Sequence, residues 1–375
     1  MALAGYALLS MFHTALFVDP LLVFGAGTYR RRFSKYLGTL LYGHAIFALA
    51  AGAGLLLIGW LLRLSDLPQL STVSLTLAFA APFILLRSVM RHACYASGQP
   101  GSAAFGGLVY MTVLLVSLWG IYAFGAASFT LAFWAMGAAG VLSALCLMVP
   151  IRPLMPRWRE KPWMTKVALD HWRYGRWLMG ASLLQWVPGN ILYFALPVLI
   201  GLEANAAFRA LVNLNSPFGH LAGALTALLL PALVRARDRE PEEFRRLMQF
   251  GLVGFALAGA AYWASLALFH RPLIDWMYDG NYNEYSQLLV ILAFTNVVGG
   301  VAAVLGAVSQ ALERSRWWFW SSVVSTAVML TLGLAIISRY GLTGAVVSYP
   351  IATAATAFTL TWFIATRRST VYSNA

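Results

Sequence analysis

The sequence predicts an all-α, polytopic membrane protein of about eleven transmembrane helices, organised as two pseudo-repeat bundles. Three observations carry that prediction. Of the 375 residues, 60% are hydrophobic and only 10% charged, with a mean hydropathy of +0.72, whereas a soluble domain carries about a quarter charged residues. Apolar runs recur along the whole chain, and most reach the roughly 20 residues that a helical span needs. The basic residues gather in alternate connections between these runs. The same facts exclude other classes. Little chain is left for a soluble kinase, nucleotide-binding or glycosyltransferase module, and there is no GxxxxGK[ST] phosphate loop. The runs are apolar all round without a dyad period, which rules out β-barrel spans.

The runs are 4–26, 37–62, 72–94, 104–124, 129–150, 177–200, 208–234, 247–270, 287–310, 317–338 and 345–366. The first contains Asp19 and ends in the cluster Tyr29-Arg30-Arg31-Arg32-Phe33. The third ends in Arg87 and Arg91. Between the fifth and sixth lies the longest connection, 151–176, rich in Pro, Trp and Arg, which sets a boundary near 160 between an N-terminal bundle (1–160, about five spans) and a C-terminal bundle (161–375, about six spans). Assigning connections alternately to two sides puts 22 of the 26 basic residues on one side, among them Arg367 and Arg368; only Arg63, Arg209, Arg271 and Arg339 fall on the other. By the positive-inside rule the basic side, and with it the C-terminus, is cytoplasmic. The +13 net charge is therefore an orientation signal, and no nucleic-acid partner is expected. Eleven spans then put the N-terminus outside. Run 4–26 has no basic residue before it and does not read as a signal peptide. It leads into a basic cluster as 208–234 leads into Arg235–Arg246, so the first bundle is expected to lack its first helix. Repeats of this kind are common in secondary transporters.

An ionisable residue near the bilayer centre costs roughly 2.5–3.5 kcal/mol on insertion scales, so each one inside a span is a candidate for function. Arg209, Asn213, Ser216 and His220 follow at spacings of four, three and four, which keeps them in one narrow stripe about 16 Å long. A cation, an amide, a hydroxyl and an imidazole on one face suit an aqueous path for a polar or anionic substrate; the bland alternative is snorkelling for Arg209 and interhelical bonding for Asn213 and His220. Gln185 and Asn190 lie beside Pro188 and Pro197, and Pro217 interrupts the next span, so these prolines are hinge or static-kink candidates. His13 and Asp19 are ion-coupling candidates. Six residues separate them, about 120° around an α-helix, so they do not pair within it; Asp19 could instead pair with Arg30 or Arg31. Arg87 and Arg91 share a face and could bind a phosphate or act as anchors at lipid head groups. His44 and Asn296 are lone polar residues, read as interhelical glue. Cys94 and Cys146 form no metal or disulfide spacing and read as small apolar fillers. In the outer loop 271–286, aromatics mix with carboxylates, the pattern of an interfacial belt. No catalytic constellation and no metal cluster is present in the sequence pattern.

Several stretches resemble the polysaccharide and lipid-linked-oligosaccharide flippases of the multidrug/oligosaccharidyl-lipid/polysaccharide (MOP) exporter superfamily, best over 177–366. They are Gly201-Leu202-Glu203-Ala204-Asn205-Ala206-Ala207-Phe208, Leu230-Pro231-Ala232-Leu233, Tyr340-Gly341-Leu342-Thr343-Gly344-Ala345, and in the first half Arg91-His92-Ala93-Cys94-Tyr95-Ala96-Ser97-Gly98-Gln99. The resemblance implies two six-helix bundles around a cavity with alternating access, and transport of an undecaprenyl-diphosphate-linked oligosaccharide or polysaccharide unit across the bacterial inner membrane. It implies coupling to H+ or Na+, no other cofactor, arginine contacts to the anionic substrate at Arg209, Arg87 and Arg91, and glycan polymerases or glycosyltransferases such as those of lipopolysaccharide synthesis as partners. An odd span count departs from that pattern. Two rivals remain. A drug or organic-cation exporter of the same superfamily would want an acidic, aromatic cavity. A polytopic glycan-modifying enzyme would want a larger outer loop.

Overall fold

The computed structural model describes residues 2–366; Arg367 and Arg368, assigned above to the basic side, lie outside the described residues. Every element among the described residues is helical. Among the described residues, ten helices are long and apolar enough to cross a membrane, and the last of these, Ser315–Thr366, is 52 residues long. It is two passes. At Gly341 the backbone takes φ 59°, ψ −134°, a conformation essentially reserved for glycine. The chain there folds back as an antiparallel hairpin, with Ser325 Oγ donating to the Ala352 carbonyl at 2.8 Å and Ser348 Oγ to the Gly333 carbonyl at 3.3 Å. The described residues therefore make eleven apolar passes.

The chain divides into two compact units, Met1–Met179 and Gly180–Ala375. Unit 1 begins with α1 (Ala2–His13), a π-helical turn (Thr14–Val18) and α2 (Asp19–Ala26). It continues with α3 (Phe33–Leu64), α4 (Pro68–Ala96), α5 (Pro100–Ala123), α6 (Phe129–Ile151) and the first half of α7 (Lys161–Leu199). Prolines at the first helical turn start α4 and α5, where the missing N–H costs nothing. Ser128 starts α6 by accepting the Leu131 N–H at 3.2 Å. Helix α4 is central, packed on α3, α6, α2 and α5. Small residues allow the close approach: a Cβ on Gly140 would meet the Phe83 carbonyl at 2.9 Å. Serines bond across helices, Ser71 Oγ to the Gly59 carbonyl at 2.8 Å and Ser143 Oγ to that of Gly106 at 2.7 Å.

Unit 2 holds the rest of α7, then α8 (Leu202–Arg237), α9 (Pro241–Tyr278), α10 (Ser286–Ala293), α11 (Thr295–Ala311), α12 (Ser315–Val328), a second π-helical turn (Met329–Gly333) and α13 (Leu334–Thr366). Its core gathers Leu192, Leu196, Phe208, Leu211, Leu289 and Leu292 among others.

The sequence reading differs from the structure between residues 151 and 179. Only the stretch before Lys161 is a connection, closed by a 3-10 turn at Trp158–Glu160. The remainder, expected as loop, is already helix. Hydropathy hides it because Lys166, Arg173 and Arg176 are exposed, while Val167, His171, Tyr174 and Leu178 form a buried stripe at helical spacing. That stripe fastens the first half of α7 to unit 1. Tyr29 Oη donates to Asp170 Oδ2 at 2.5 Å, Tyr36 Oη lies 2.7 Å from His171 Nε2, and His171 Nδ1 lies 2.8 Å from the Leu16 carbonyl. A Cβ on Gly175 would strike the Ala15 carbonyl at 2.5 Å. The units consequently divide at Met179 rather than near 160.

Two outcomes follow from this packing. Gly341→Ala is expected to lower the thermal midpoint of the detergent-purified protein, since a Cβ in that conformation costs on the order of 1–3 kcal/mol. Gly107→Ala, in α5 with open space around it, should not lower it. The second outcome concerns Lys35 Nζ, which grips Glu160 Oε1 at 2.7 Å. That hydrogen bond, helped by the Arg157 N–H, holds the Glu160 carboxyl below its usual range. A depressed carboxyl stabilises the fold above its unfolded pKa and loses that contribution as pH falls through its folded pKa. The difference in midpoint between wild type and Glu160→Gln should accordingly shrink below about pH 4. The Tyr29 hydroxyl is pushed up, mainly by burial and also by Asp170. Its contribution is fully present at neutral pH and should not vary over the same acid window.

Candidate functional site

Helix α8 is 36 residues long and amphipathic in a way its hydropathy conceals. Ala204, Ala207, Phe208, Leu211, Leu214, Asn215, Phe218 and Ala222 are buried, at helical spacing. Arg209, Asn213, Ser216 and His220 are all exposed on the opposite face. The stripe thus turns away from the core of unit 2. The Arg209 guanidinium lies 4.8 Å from the Tyr193 ring of α7, a cation–π contact. Neither Asn213 nor His220 hydrogen-bonds a neighbouring helix through its side chain among the described residues, so the interhelical-glue alternative does not describe them. Ser216 has a local task. Pro217 lacks the N–H that would satisfy the Asn213 carbonyl, and Ser216 Oγ donates to that carbonyl at 2.9 Å.

The other pathway candidates of unit 2 are engaged. Gln185 Nε2 donates to Ser322 Oγ at 3.0 Å, and Asn190 Nδ2 to the Trp186 carbonyl of its own helix at 2.8 Å. Helix α7 stays helical through Pro188 and Pro197. The Leu184 carbonyl that Pro188 leaves free accepts from Thr326 Oγ1 at 2.8 Å. Asn296 is buried and interhelical, its Nδ2 donating to Asn215 Oδ1 at 2.6 Å and to the Ala293 carbonyl at 3.0 Å.

In unit 1, Arg87 and Arg91 are each laid on a tyrosine rather than joined in a fork. The Arg87 guanidinium is 3.7 Å from the Tyr110 ring, with its buried Nε lacking a hydrogen-bond partner among the described residues. Arg91 Nε donates to Tyr95 Oη at 3.0 Å. Asp19 is half-buried and makes no hydrogen bond or ion pair among the described residues; Arg30 and Arg31 are exposed and do not reach it. The π turn Thr14–Val18 lies between His13 and Asp19, so the α-helical angle assumed from sequence does not apply. Asp19 and His13 still do not pair. His13 instead meets His44, Nε2 to Nδ1 at 3.0 Å. No local spacing could have announced this contact or the Asn215–Asn296 pair, because each needs helices far apart in sequence to be brought together.

A sequence profile for a family described as "Polysaccharide biosynthesis protein" matches residues 31–287. The chain belongs to this family. Among curated proteins none matches the sequence. Solved structures show the fold that the chain shares. "Crystal structure of MATE in the bent conformation" superposes with a TM-score of 0.82 at 16% identity, covering 99% of this chain and 86% of that one. An outward-facing multidrug resistance MATE family transporter of the MOP superfamily gives 0.81 at 15%, covering 98% and 86%. A MOP superfamily transporter from Pyrococcus furiosus, whose description points to a binding pocket of reversed polarity and a different function, gives 0.78 at 16%, covering 98% and 86%. Family and fold together describe a multi-pass helical membrane protein of the polysaccharide biosynthesis family that shares the fold of these solved structures.

Exposure of the α8 stripe sets up a direct check. With Cys94 and Cys146 replaced by alanine, cysteines placed at 213, 216 and 220 are expected to react with a charged, water-soluble thiol reagent in membranes. One at buried Leu211 is expected to stay protected. Protection of all three exposed positions would mean that lipid, not water, covers this face.

Proposed function

We propose that this protein is a transporter that flips an undecaprenyl-diphosphate-linked oligosaccharide or polysaccharide unit across the bacterial inner membrane by alternating access, driven by an ion gradient. The observation that carries the reading is the exposed stripe on α8, Arg209–Asn213–Ser216–His220, in a chain of the polysaccharide biosynthesis family. A cation with neutral hydrogen-bonding groups along about three turns suits a diphosphate followed by sugar hydroxyls. The prenyl chain needs no polar contact and stays in lipid. Tyr193 limits the directions in which the Arg209 guanidinium can point, so less freedom is lost when it meets phosphate. Arg87, clamped on Tyr110, offers unit 1 a second cation for the same anionic class. In unit 2, Pro188, Pro197 and Pro217 provide the points at which α7 and α8 could bend. Asp19 and His13 are the groups in unit 1 that could carry a coupling ion. The basic connections would face the cytoplasm, with the C-terminus on that side. Glycosyltransferases or a glycan polymerase acting before or after flipping are the natural partners.

A drug or organic-cation exporter is the second reading. It is favoured by the half-buried carboxylate of Asp19, without a partner among the described residues, and by the multidrug resistance MATE family transporter among the structural neighbours. It would place the important charge on Asp19, whereas the flippase reading places it on Arg209.

Proteoliposomes loaded with undecaprenyl-diphosphate-linked oligosaccharide separate the two. Arg209→Ala should slow translocation about ten- to a hundredfold, the worth of a charge-assisted hydrogen bond to phosphate. Arg209→Lys should recover part of the rate, because an ammonium keeps the charge but not the planar fork. Full rates in Arg209→Ala, or resistance to toxic dyes that depends on Asp19, would favour the exporter.

A further inference from the structure

The positive-inside rule counts Lys and Arg and is nearly blind to Asp and Glu. It therefore accounts for the basic connections of both units, but not for a difference in how they are neutralised. In unit 2, residues 235–246 carry five basic and four acidic residues and residues 313–316 carry two and one, a surplus of +2 for the two stretches. Ion pairs use part of it. Arg237 holds Asp238 at 2.8 Å and Glu313 at 3.0 Å, and Arg246 lies 3.6 Å from Glu242. In unit 1, residues 30–35 carry four basic residues and no acidic one, and residues 151–166 carry five and one, a surplus of +8. The single acid, Glu160, is taken by Lys35. Arg30, Arg31, Arg152, Arg159 and Lys166 are exposed and make no ion pair among the described residues.

The two stretches of unit 1 are fastened into one surface. Ser34 Oγ donates to the Ile151 carbonyl at 3.3 Å, and the Leu154 N–H donates to the Ser34 carbonyl at 2.9 Å. Gly38 leaves no room for a Cβ where the Leu154 carbonyl crosses α3. Glu160 accepts from Lys35 and from the Arg157 N–H. Trp163 Nε1 donates to Thr39 Oγ1 at 3.2 Å, and the Arg32 and Lys35 cations lie 5.8 and 5.1 Å from its ring. The connection is thus bound across the start of α3 rather than looping free. Its middle is apolar, with Leu154 and Met155 63% and 65% exposed. Ile151 ends one apolar span and Ser34 lies near the start of another. Leu154, bonded to Ser34, is therefore at the depth where spans meet head groups.

We propose that this face of unit 1 docks anionic phospholipid head groups, with Arg30, Arg31, Arg152 and Arg159 meeting phosphates and Leu154 and Met155 entering the acyl boundary. Two features select a lipid surface over an acidic protein. The apolar pair sits among the cations and level with the span ends, the arrangement of a segment that lies in the membrane interface. The free cations are mostly arginine, whose planar fork matches phosphate oxygens. Because the backbone beneath them is already fixed, binding orders little beyond the side chains themselves. Each such cation near an anionic bilayer is worth about fivefold in affinity, and the attraction is screened within about 8 Å at physiological salt. The inference concerns the lipid that unit 1 meets, and it holds whatever the protein moves.

The test uses the full chain with Cys94 and Cys146 replaced by alanine and a bimane fluorophore attached through Met155→Cys. It is reconstituted in vesicles of equimolar phosphatidylcholine and phosphatidylglycerol, with bromine on the acyl chains of one lipid or the other. Brominated phosphatidylglycerol should quench the fluorophore several times more strongly than brominated phosphatidylcholine, and raising the salt should erase the difference. The combined change Arg30→Gln, Arg31→Gln and Arg159→Gln should bring the ratio of quenching close to one. The same three positions changed to lysine should keep the preference, and so should Arg239→Gln with Arg245→Gln, which removes two exposed cations of unit 2. Equal quenching by both lipids in the parent protein overturns the proposal, as does a preference that survives the glutamine changes. Quenching by neither lipid overturns it in favour of a soluble acidic partner. Should the glutamine variant fail to fold, the salt titration of the parent protein decides, and a preference that persists at high salt counts against head-group docking.

Discussion

A backbone carbonyl that loses its helical N–H inside hydrocarbon has no water to turn to, and much of the polar detail of this protein answers that constraint. Pro188 would strand the Leu184 carbonyl, and Thr326 supplies the donor from α12. Pro217 would strand the carbonyl of Asn213, and Ser216, one residue before the proline, supplies it. At the break between α10 and α11, Trp263 Nε1 donates to the Val290 carbonyl at 3.1 Å, and Asn296 takes that of Ala293. Even unbroken helix receives extra donors: Tyr262 and Tyr278 of α9 reach the Leu214 and Ala210 carbonyls of α8. The prolines can therefore sit in long spans without unravelling them.

A second consequence is how the helices are held together. Lipid is as apolar as leucine, so association depends on close packing and on hydrogen bonds between backbones brought near one another. Gly259 presses on the Asn296 carbonyl and Gly344 on that of Ile336, where a Cβ would stand at 2.6 and 2.4 Å. Ser71, Ser74 and Ser143 each give a hydroxyl proton to a carbonyl on the neighbouring helix. Such residues are polar and buried for structural reasons. Polarity within a span is thus a poor guide to function until the partner of each group is known.

That explains what could be read from the sequence and what could not. The spans were legible because length and hydropathy decide them, down to the separation of 317–338 from 345–366. The onset of α7 was not. Lys166, Arg173 and Arg176 lower its hydropathy, and only the buried stripe Val167–His171–Tyr174–Leu178 reveals a helix packed on unit 1. The α8 stripe could be seen because its four residues share one helix. His13–His44 and Asn215–Asn296 could not, since 31 and 81 residues separate the partners. The π turn after His13 adds a further obstacle, because angular arithmetic along a sequence assumes 3.6 residues per turn throughout.

Sorting polar groups by partner leaves a short remainder. Gln185, Asn190, Ser216 and Asn296 are occupied with structure. Arg209, Asn213 and His220 are exposed on one face of α8 with no interhelical hydrogen bond, and in unit 1 Asp19 and the Nδ1 of His13 lack any hydrogen-bond partner among the described residues. The two remainders differ in chemistry. The α8 group is cationic and hydrogen-bonding, suited to a large anion with hydroxyls. The unit 1 group is a base and an acid, suited to a proton. They lie in different units, and α7 is the helix that belongs to both. Its first half is fastened to unit 1 through Asp170 and His171, and His171 grips the Leu16 carbonyl within the π turn that follows His13. Its second half carries Tyr193, which lies against Arg209.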